Sequence, residues 1–149
     1  MKIRIIAVGK IKKSPEKELI DYYSKISKWA TEIIEVEVKN FSNPEHRREL
    51  EAAEILKHTE GHTLFPLEER GKQLDSIEFA ALIQKELDSG RVPCFIIGGA
   101  DGLHTKVTSI AKNIISFGKM TMPHMLVRAV LAEQIYRAGT IISNHPYHK

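Results

Sequence analysis

The sequence predicts a single α/β domain, residues 1–149, with a mostly parallel β-sheet that is covered by helices on both faces. Strand-like patterns alternate with helix-like patterns along the whole chain, which is typical of this fold class. The length of 149 residues is close to that of one ordinary domain. No internal repeat, low-complexity stretch or long linker divides the sequence.

The first strand and the first helix are separated by a change of pattern at Ser14. Lys2–Val8 is a largely apolar run, which predicts a buried strand. Ser14 and Pro15 then fit the N-cap and the first position of a helix. Apolar side chains recur in that helix at i, i+3, i+4 and i+7 and form one stripe: Leu19, Tyr22, Tyr23 and Ile26.

The middle of the chain contains two further strands and two further helices. Residues 33–38 alternate between acidic and β-branched side chains, as a half-buried strand does. Asn43 and Pro44 open a charged second helix that we expect to end near Gly61. Residues 62–67 form the third strand, and Asp75 caps a third helix that Gly90 closes. We expect four apolar side chains of that helix to face the core: Phe79, Leu82, Ile83 and Leu87.

The last part of the chain contains two strands and a long helix. Val92–Ile97 predicts a fourth strand that runs into Gly98 and Gly99, and residues 113–117 predict a fifth. The final helix begins at Pro123 and is expected to end at about Ala138. Its apolar side is Val127, Leu131 and Ile135. Ligands bind such sheets at the carboxyl ends of the strands.

Composition restricts the classes of function. No apolar run approaches the roughly 20 residues that cross a bilayer, and no signal-peptide pattern begins the sequence, so we expect a cytoplasmic protein without a membrane partner. The only cysteine, Cys94, excludes an internal disulfide, and we expect it to be a buried apolar residue. Residues 90–149 carry 7 Lys/Arg against 2 Asp/Glu, whereas residues 1–89 carry 15 against 17. A basic C-terminal half suits a phosphate-bearing partner, and a chance imbalance on a solvated face is the alternative.

Several common sites are not supported. A dinucleotide-binding turn needs three spaced glycines after the first strand, and only Gly9 is present; the P-loop pattern is also lacking. His145 and His148 have no third metal ligand nearby in sequence, so we expect no metal. No serine elbow or Cys/His nucleophile pattern occurs either.

Three segments at the ends of predicted strands carry the strongest functional signal. They are LEERGK at residues 67–72, IGGADGL at 97–103 and FGKMTMPH at 117–124, and the chain closes with NHPYHK at 144–149. In this order they resemble the RlmH family, the ribosomal RNA large subunit methyltransferases H, which are small members of the SPOUT class of knotted methyltransferases. The family usually has Asp where this chain has Glu68, and Gly-Pro-Glu-Gly or a relative where Ala100 and Asp101 stand between glycines. Both changes keep acidic or small character.

The resemblance implies properties that patterning alone does not supply. It implies a deep trefoil knot in the C-terminal part, which is rare among folds. It implies a homodimer whose three loops hold S-adenosyl-L-methionine as methyl donor, without a metal, and whose tail completes a site near the interface. The implied reaction is methylation of N3 of a pseudouridine in helix 69 of bacterial 23S rRNA. Because the chain has no separate RNA-binding domain, we expect the substrate to be the assembled 70S ribosome.

The resemblance also assigns residues. The implied cofactor-binding residues are Leu67, Gly98, Gly99, Phe117, Gly118, Lys119, Met120, Thr121 and Met122. Glycines let backbone approach a ligand closely, although Gly98 and Gly99 could equally serve only a tight turn. Candidate catalytic residues are His124, Arg128, His145, Tyr147 and His148.

Other interpretations of those catalytic candidates remain open. Any of the histidines and Tyr147 could accept the N3 proton, and His124 could instead cap the last helix. Arg128 and Arg137 point to different sides of that helix, so that one could reach a phosphate while the other pairs with Glu133. The tail could stack on an unpaired base or be a disordered terminus.

Two other functions fit part of the pattern. A SPOUT enzyme acting on transfer RNA would keep the fold and change the target, but the NHPYH ending and the lack of an appended RNA-binding domain disfavour it. A non-catalytic ribosome-binding factor would keep the cofactor cleft as a relic. Binding of S-adenosylmethionine distinguishes an enzyme from such a factor, which would not bind it.

Overall fold

A computed structural model describes all 149 residues and contains one five-stranded sheet of order β2-β1-β4-β3-β5. Every paired strand runs parallel to its neighbour. The strands are β1 (Lys2–Val8), β2 (Ala30–Val36), β3 (His62–Gln73), β4 (Val92–Ile97) and β5 (Ile115–Ser116). The helices are α1 (Pro15–Ile26), α2 (Pro44–Leu56), α3 (Ser76–Asp88), α4 (Thr105–Thr108) and α5 (His124–Ile142). The predicted fold class is therefore confirmed.

The two faces of the sheet are covered by different helices. α3 and α5 pack on one face, where Phe79, Leu131 and Ile135 join side chains of β1 and β4 in the larger apolar core. α2 and α4 cover the other face through Ile55 and Val107. Burying each large aliphatic side chain contributes about 1.5–3 kcal/mol, so the two cores supply most of the drive to fold. None of the helices is both long and apolar enough to cross a membrane.

The predicted helix starts are confirmed by their caps. The side chains of Ser14, Asn43 and Asp75 accept hydrogen bonds from the backbone N–H groups of Lys17, His46 and Glu78 respectively. Each such cap contributes about 1 kcal/mol. The predicted end of α3 is confirmed as well, since Gly90 has φ +70° directly after the C-cap. Cys94 is buried, as expected, and burial raises the pKa of its thiol to about 12.

Several predicted boundaries are wrong. β2 begins at Ala30, three residues early, and α2 ends at Leu56 instead of near Gly61. β5 is only two residues long, and α5 continues to Ile142 because Ala138, Gly139 and Thr140 are still buried. α4 was not predicted at all. The apolar stripe of α1 is also not buried within this chain: Tyr22 is 58% exposed, and α1 packs on α5 mainly through Ile20.

The segment 67–72 is not the loop that the sequence predicts, because β3 continues through it to Gln73. Its pairing with β5 shifts register between Leu67 and Lys72. Gly71 lies against the β5 backbone, where a Cβ would be 2.7 Å from the carbonyl carbon of Ile115. Only glycine permits that approach. The trefoil knot stays a prediction.

Candidate cofactor cleft and C-terminal tail

A cleft of about 940 Å³ opens at the carboxyl edge of the sheet. It lies between the ends of β3, β4 and β5 and the start of α5, so the three sequence segments come together. Eight of the nine predicted cofactor-binding residues line it: Leu67, Gly98, Gly99, Phe117, Gly118, Met120, Thr121 and Met122. Lys119 is not among the lining residues.

The turn after β4 lines the cleft, and its glycines are also required by the packing of the turn itself. Gly102 N–H donates to the carbonyl of Gly99 at 3.1 Å, with Gly102 at φ +78°. A Cβ on Gly98 would be 3.0 Å from Gly102 and Leu103, and one on Gly99 would be 3.0 Å from Val8. A side chain at either position would therefore require neighbouring atoms of Gly102, Leu103 or Val8 to move, and backbone forms this wall of the cleft.

A buried serine, which the sequence pattern does not predict as a site residue, fixes the third segment by hydrogen bonds. Ser116 is 2% exposed, and its hydroxyl accepts a hydrogen bond from Gly118 N–H at 3.0 Å. The same oxygen lies 3.0 Å from the carbonyl of Glu69 on the extended β3. Ser116 thus joins two of the three segments. A lone serine in a short apolar strand is the only signal that could have revealed it.

Acidic side chains supply part of the polar lining of the cleft, together with Arg48 and Arg70. Glu68 and Asp101 both line it. Burial raises the pKa of Glu68 above its ordinary value, and the positive charge of Arg70 offsets this only in part. A half-buried carboxyl group without an ion pair is able to accept hydrogen bonds from a ligand or to face its positive charge. Apolar walls with a few convergent polar groups are typical of small-molecule sites.

His124 is the one predicted catalytic residue that lines the cleft. It is the first residue of α5, after Pro123, and no side-chain hydrogen bond caps that helix, so the proposed capping role is not supported. Burial, followed by the positive charges of Arg128 and Arg47, lowers the pKa of His124. Its imidazole is therefore neutral at pH 7 and able to accept a proton.

Arg128 lies behind the cleft and is 2% exposed. Its Nη2 donates to the carbonyl oxygens of Val8 at 2.9 Å and Gly9 at 2.6 Å, and its Nη1 donates to Glu35 at 2.7 Å. The guanidinium group therefore ties the start of α5 to the ends of β1 and β2. Of the two arginines, Arg137 makes the expected pair with Glu133, at 2.5 Å.

The predicted catalytic residues of the tail lie away from the cleft of their own chain. Tyr147 donates to Glu133 at 3.0 Å, and the guanidinium of Arg137 lies 4.7 Å from the centre of its ring. His148 Nδ1 is 3.2 Å from Arg137, and His145 accepts from Tyr147 N–H at 3.2 Å. The tail is ordered by these contacts. Arg137 is thirteen residues after His124 on α5, a separation of about 20 Å along the helix.

Comparison with known proteins places the chain among RNA-modifying enzymes. The sequence profile of a family described as predicted SPOUT methyltransferase matches residues 1–148. The ribosomal RNA large subunit methyltransferase H of Agrobacterium fabrum is 44% identical, with 100% of this chain and 99% of that protein covered. The protein of the same name from Rhizobium etli is 45% identical over the same shares.

A solved structure shares the fold. The probable methylase family protein from Haemophilus influenzae Rd KW20 superposes with a TM-score of 0.59 at 10% identity, covering 97% of this chain and 67% of that one. At that identity the likeness concerns the fold alone.

Proposed function

This chain belongs to the SPOUT methyltransferase family, and we propose that it methylates N3 of a pseudouridine in helix 69 of bacterial 23S rRNA within the assembled 70S ribosome. It is an S-adenosylmethionine-dependent ribosomal RNA methyltransferase of the RlmH type. One observation carries the proposal: the three segments that the sequence singles out form one cleft, in a chain that matches large-subunit rRNA methyltransferases over its full length. The ribosome as substrate places the proposed activity in the cytoplasm.

The residues of the cleft fit S-adenosylmethionine. A volume of about 940 Å³ is ample for a ligand of that size. Leu67, Phe117 and Met122 offer apolar surface for an adenine ring, the backbone at Gly98 forms part of the cleft wall, and the backbone at Gly118 has open space beside it. Glu68 and Asp101 offer carboxyl groups for its amino, hydroxyl and sulfonium functions. When bound, the group would supply a methyl carbon activated by the adjacent positive sulfur.

Methyl transfer to a ring nitrogen needs the nitrogen lone pair in line with the departing sulfur, so positioning dominates the chemistry. Well-oriented reactants gain about 7–11 kcal/mol over the reaction in water. The N3 proton must also leave. His124 is our first candidate for its acceptor, because it is neutral and lines the cleft. Arg128 is proposed as a positioning residue that holds the α5 turn carrying His124.

A homodimer is proposed because the tail cannot complete the cleft of its own chain. His145, Tyr147 and His148 are held on the far half of α5, so they would have to serve the cleft of a second subunit. The exposed stripe of α1 supports this. Leu19, Tyr22 and Ile26 are 45%, 58% and 39% exposed, and Tyr23 next to them stacks toward Tyr136 beneath the tail. Such a stripe is an expected site for a partner surface.

The proposal is tested by mass mapping of helix 69. Ribosomes from a strain that lacks this gene are incubated with the purified protein and labelled S-adenosylmethionine, and free 23S rRNA is treated in parallel. We expect one added methyl group on the pseudouridine of 70S particles and little on free RNA. Label on free RNA alone would contradict the assembled substrate, and label on neither would contradict the proposed function.

A further inference from the structure

The loop between β1 and α1 presents three lysines without a direct ion pair, of which only Lys10 acts at a distance on a carboxylate of the chain, that of Glu35. Lys10, Lys12 and Lys13 are exposed and form no ion pair. The nearest acidic groups along the chain, Glu16 and Glu18, belong to the first turn of α1. Like charges placed this closely repel one another, so the arrangement costs free energy unless a polyanion binds there.

This basic loop, residues 10–13, lies beside the cleft. It leaves the sheet at the carboxyl end of β1, and β1 is paired with β4, which runs directly into Gly98. Adjacent strands are about 5 Å apart, so the loop begins one strand spacing from the glycine turn. Gly9, at the root of the loop, is in contact range of His124: a Cβ there would be 3.8 Å from the Nε2 of that histidine.

The loop is also fixed in place. The backbone N–H of Ile11 donates to Glu35 Oε2 at 2.7 Å, and the same oxygen accepts from Arg128. The Ser14 hydroxyl donates to the carbonyl of Lys12 at 2.9 Å. Since the side chains are carried on an anchored backbone, binding would restrict only their rotamers, which lowers the entropic cost of contacting a ligand.

From this placement we infer that Lys10, Lys12 and Lys13 form a binding surface for the RNA phosphate backbone next to the base that enters the cleft. The inference rests on the proposed function for the identity of the RNA. This lysine surface adds to the positive charge of Arg48 and Arg70 in the cleft lining and so increases the electrostatic affinity for RNA at the mouth of the cleft. Lysines act there as point charges that neutralise phosphates without reading sequence.

The salt dependence of ribosome binding tests the inference. We compare the wild type with a Lys10→Gln/Lys12→Gln/Lys13→Gln variant, measuring binding to 70S ribosomes over a range of KCl without any methyl donor. Three lost phosphate contacts should reduce the slope of log affinity against log salt by about 2, at roughly 0.7 for each contact. The melting temperature and the affinity for S-adenosylmethionine should be unchanged, since none of the three side chains lines the cleft.

A matched control removes the same charge from the opposite edge of the sheet. Lys25, Lys28 and Lys85 are exposed, form no ion pair and lie in the last turn of α1, just after α1 and in the last turn of α3. Their triple Gln variant should keep the wild-type slope. Equal slopes for all three proteins would overturn the inference, and an equal loss in both variants would reduce it to a net-charge effect and overturn it too. Because the assay measures binding alone, the outcome is separate from whether the wild type methylates helix 69.

A second measurement distinguishes RNA from a ribosomal protein as the partner. Cys94 is fully buried, so a Lys12→Cys variant offers one accessible thiol for an iron chelate that generates hydroxyl radicals. We expect strand cleavage in 23S rRNA close to helix 69, and none there from a chelate placed by Lys85→Cys. Absence of rRNA cleavage from position 12, with the variant still bound to ribosomes, would contradict a phosphate-binding role.

Discussion

Glu35 accepts a hydrogen bond from Arg128 Nη1 at 2.7 Å, although the two residues are 93 positions apart in the sequence. Glu35 lies near the end of β2 and Arg128 in the second turn of α5. Burial alone would raise the pKa of Glu35, but the hydrogen bonds from Arg128 and Ile11 outweigh it and hold that pKa below its ordinary value. This pair thus fixes both the basic loop and the helix turn that carries His124.

Breaking this pair should destabilise the protein strongly. Arg128→Met leaves Glu35 without its arginine partner and removes the donor from the carbonyl oxygens of Val8 and Gly9. Because Glu35 keeps contact with solvent, the cost comes mainly from the two carbonyl oxygens that lose their donor, at about 1–3 kcal/mol each. Urea unfolding at pH 7 measures the loss. Lys17→Ala removes the exposed Lys17–Asp21 pair and should cost at most about 0.5 kcal/mol; similar values for the two variants would contradict the role given to Arg128.

Gly71→Ala should disturb the cleft from behind. The added Cβ would meet the backbone of Ile114 and Ile115, so β5 must move, at a cost of about 1–3 kcal/mol. We expect weaker binding of S-adenosylmethionine by calorimetry, because β5 leads directly into Phe117 and Gly118. Gly90→Ala is the control: its φ of +70° makes alanine cost about 1–2 kcal/mol at the opposite edge of the sheet, without a change in affinity. Unchanged affinity in Gly71→Ala would show that β5 does not shape the site.

Glu86 should govern acid stability. Burial would raise its pKa, but hydrogen bonds from Arg91, Lys112 and Thr63 lower it to about 2. Because the folded pKa lies below the unfolded value near 4.5, the stabilisation is complete above pH 4.5 and is lost as the pH falls toward 2. Glu86→Gln should therefore be about 1–3 kcal/mol less stable than wild type at pH 7, with a difference that shrinks between pH 4.5 and 3. A constant difference over this range would contradict the assignment.

Replacing His124 separates chemistry from cofactor binding. If its neutral imidazole accepts the N3 proton, the rate rises with pH through a pKa below the ordinary 6.5 and levels off above that pKa. His124→Gln should lose that limb of the pH profile and about 10²-fold or more in kcat, while its affinity for S-adenosylmethionine is unchanged. An unaltered pH profile in the variant would assign the proton to another group.

Local signals predicted the fold well where one residue type has one physical role. Local pattern identified the three N-caps and the closing glycine, which are Ser14, Asn43, Asp75 and Gly90. Each cap side chain accepts a hydrogen bond from a backbone N–H only three residues later, and Gly90 ends the helix directly before it. Boundaries failed where tertiary contacts extend an element. β3 continues through residues 67–72 because β5 pairs with it, and nothing local in that charged segment indicates a partner.

The sequence predicts which backbone segments form the candidate site, but it does not predict where several of the important side chains lie. The three cleft segments were found because glycines and apolar residues at strand ends stand out. Arg128 was expected to be available to a ligand, but its position depends on Glu35 and on β1 carbonyl oxygens that are distant in sequence. Ser116 and Glu35 were missed for the same reason. Their partners become visible only once the sheet is assembled.

We propose that the cleft of one subunit works with the tail of another, and dimers that combine two inactive variants test this arrangement. One subunit carries Gly98→Val, whose side chain would press on Leu103 and displace the glycine turn that walls the cleft, and the other lacks residues 144–149; light scattering verifies that both variants still form dimers. The measured quantity is the initial rate of labelled methyl transfer to helix 69 in 70S ribosomes. We predict that each variant alone is inactive and that the co-expressed mixture regains activity, because an intact cleft then meets an intact tail. An inactive mixture of properly formed dimers, or full activity of the tail-deleted protein alone, would contradict a site shared between subunits.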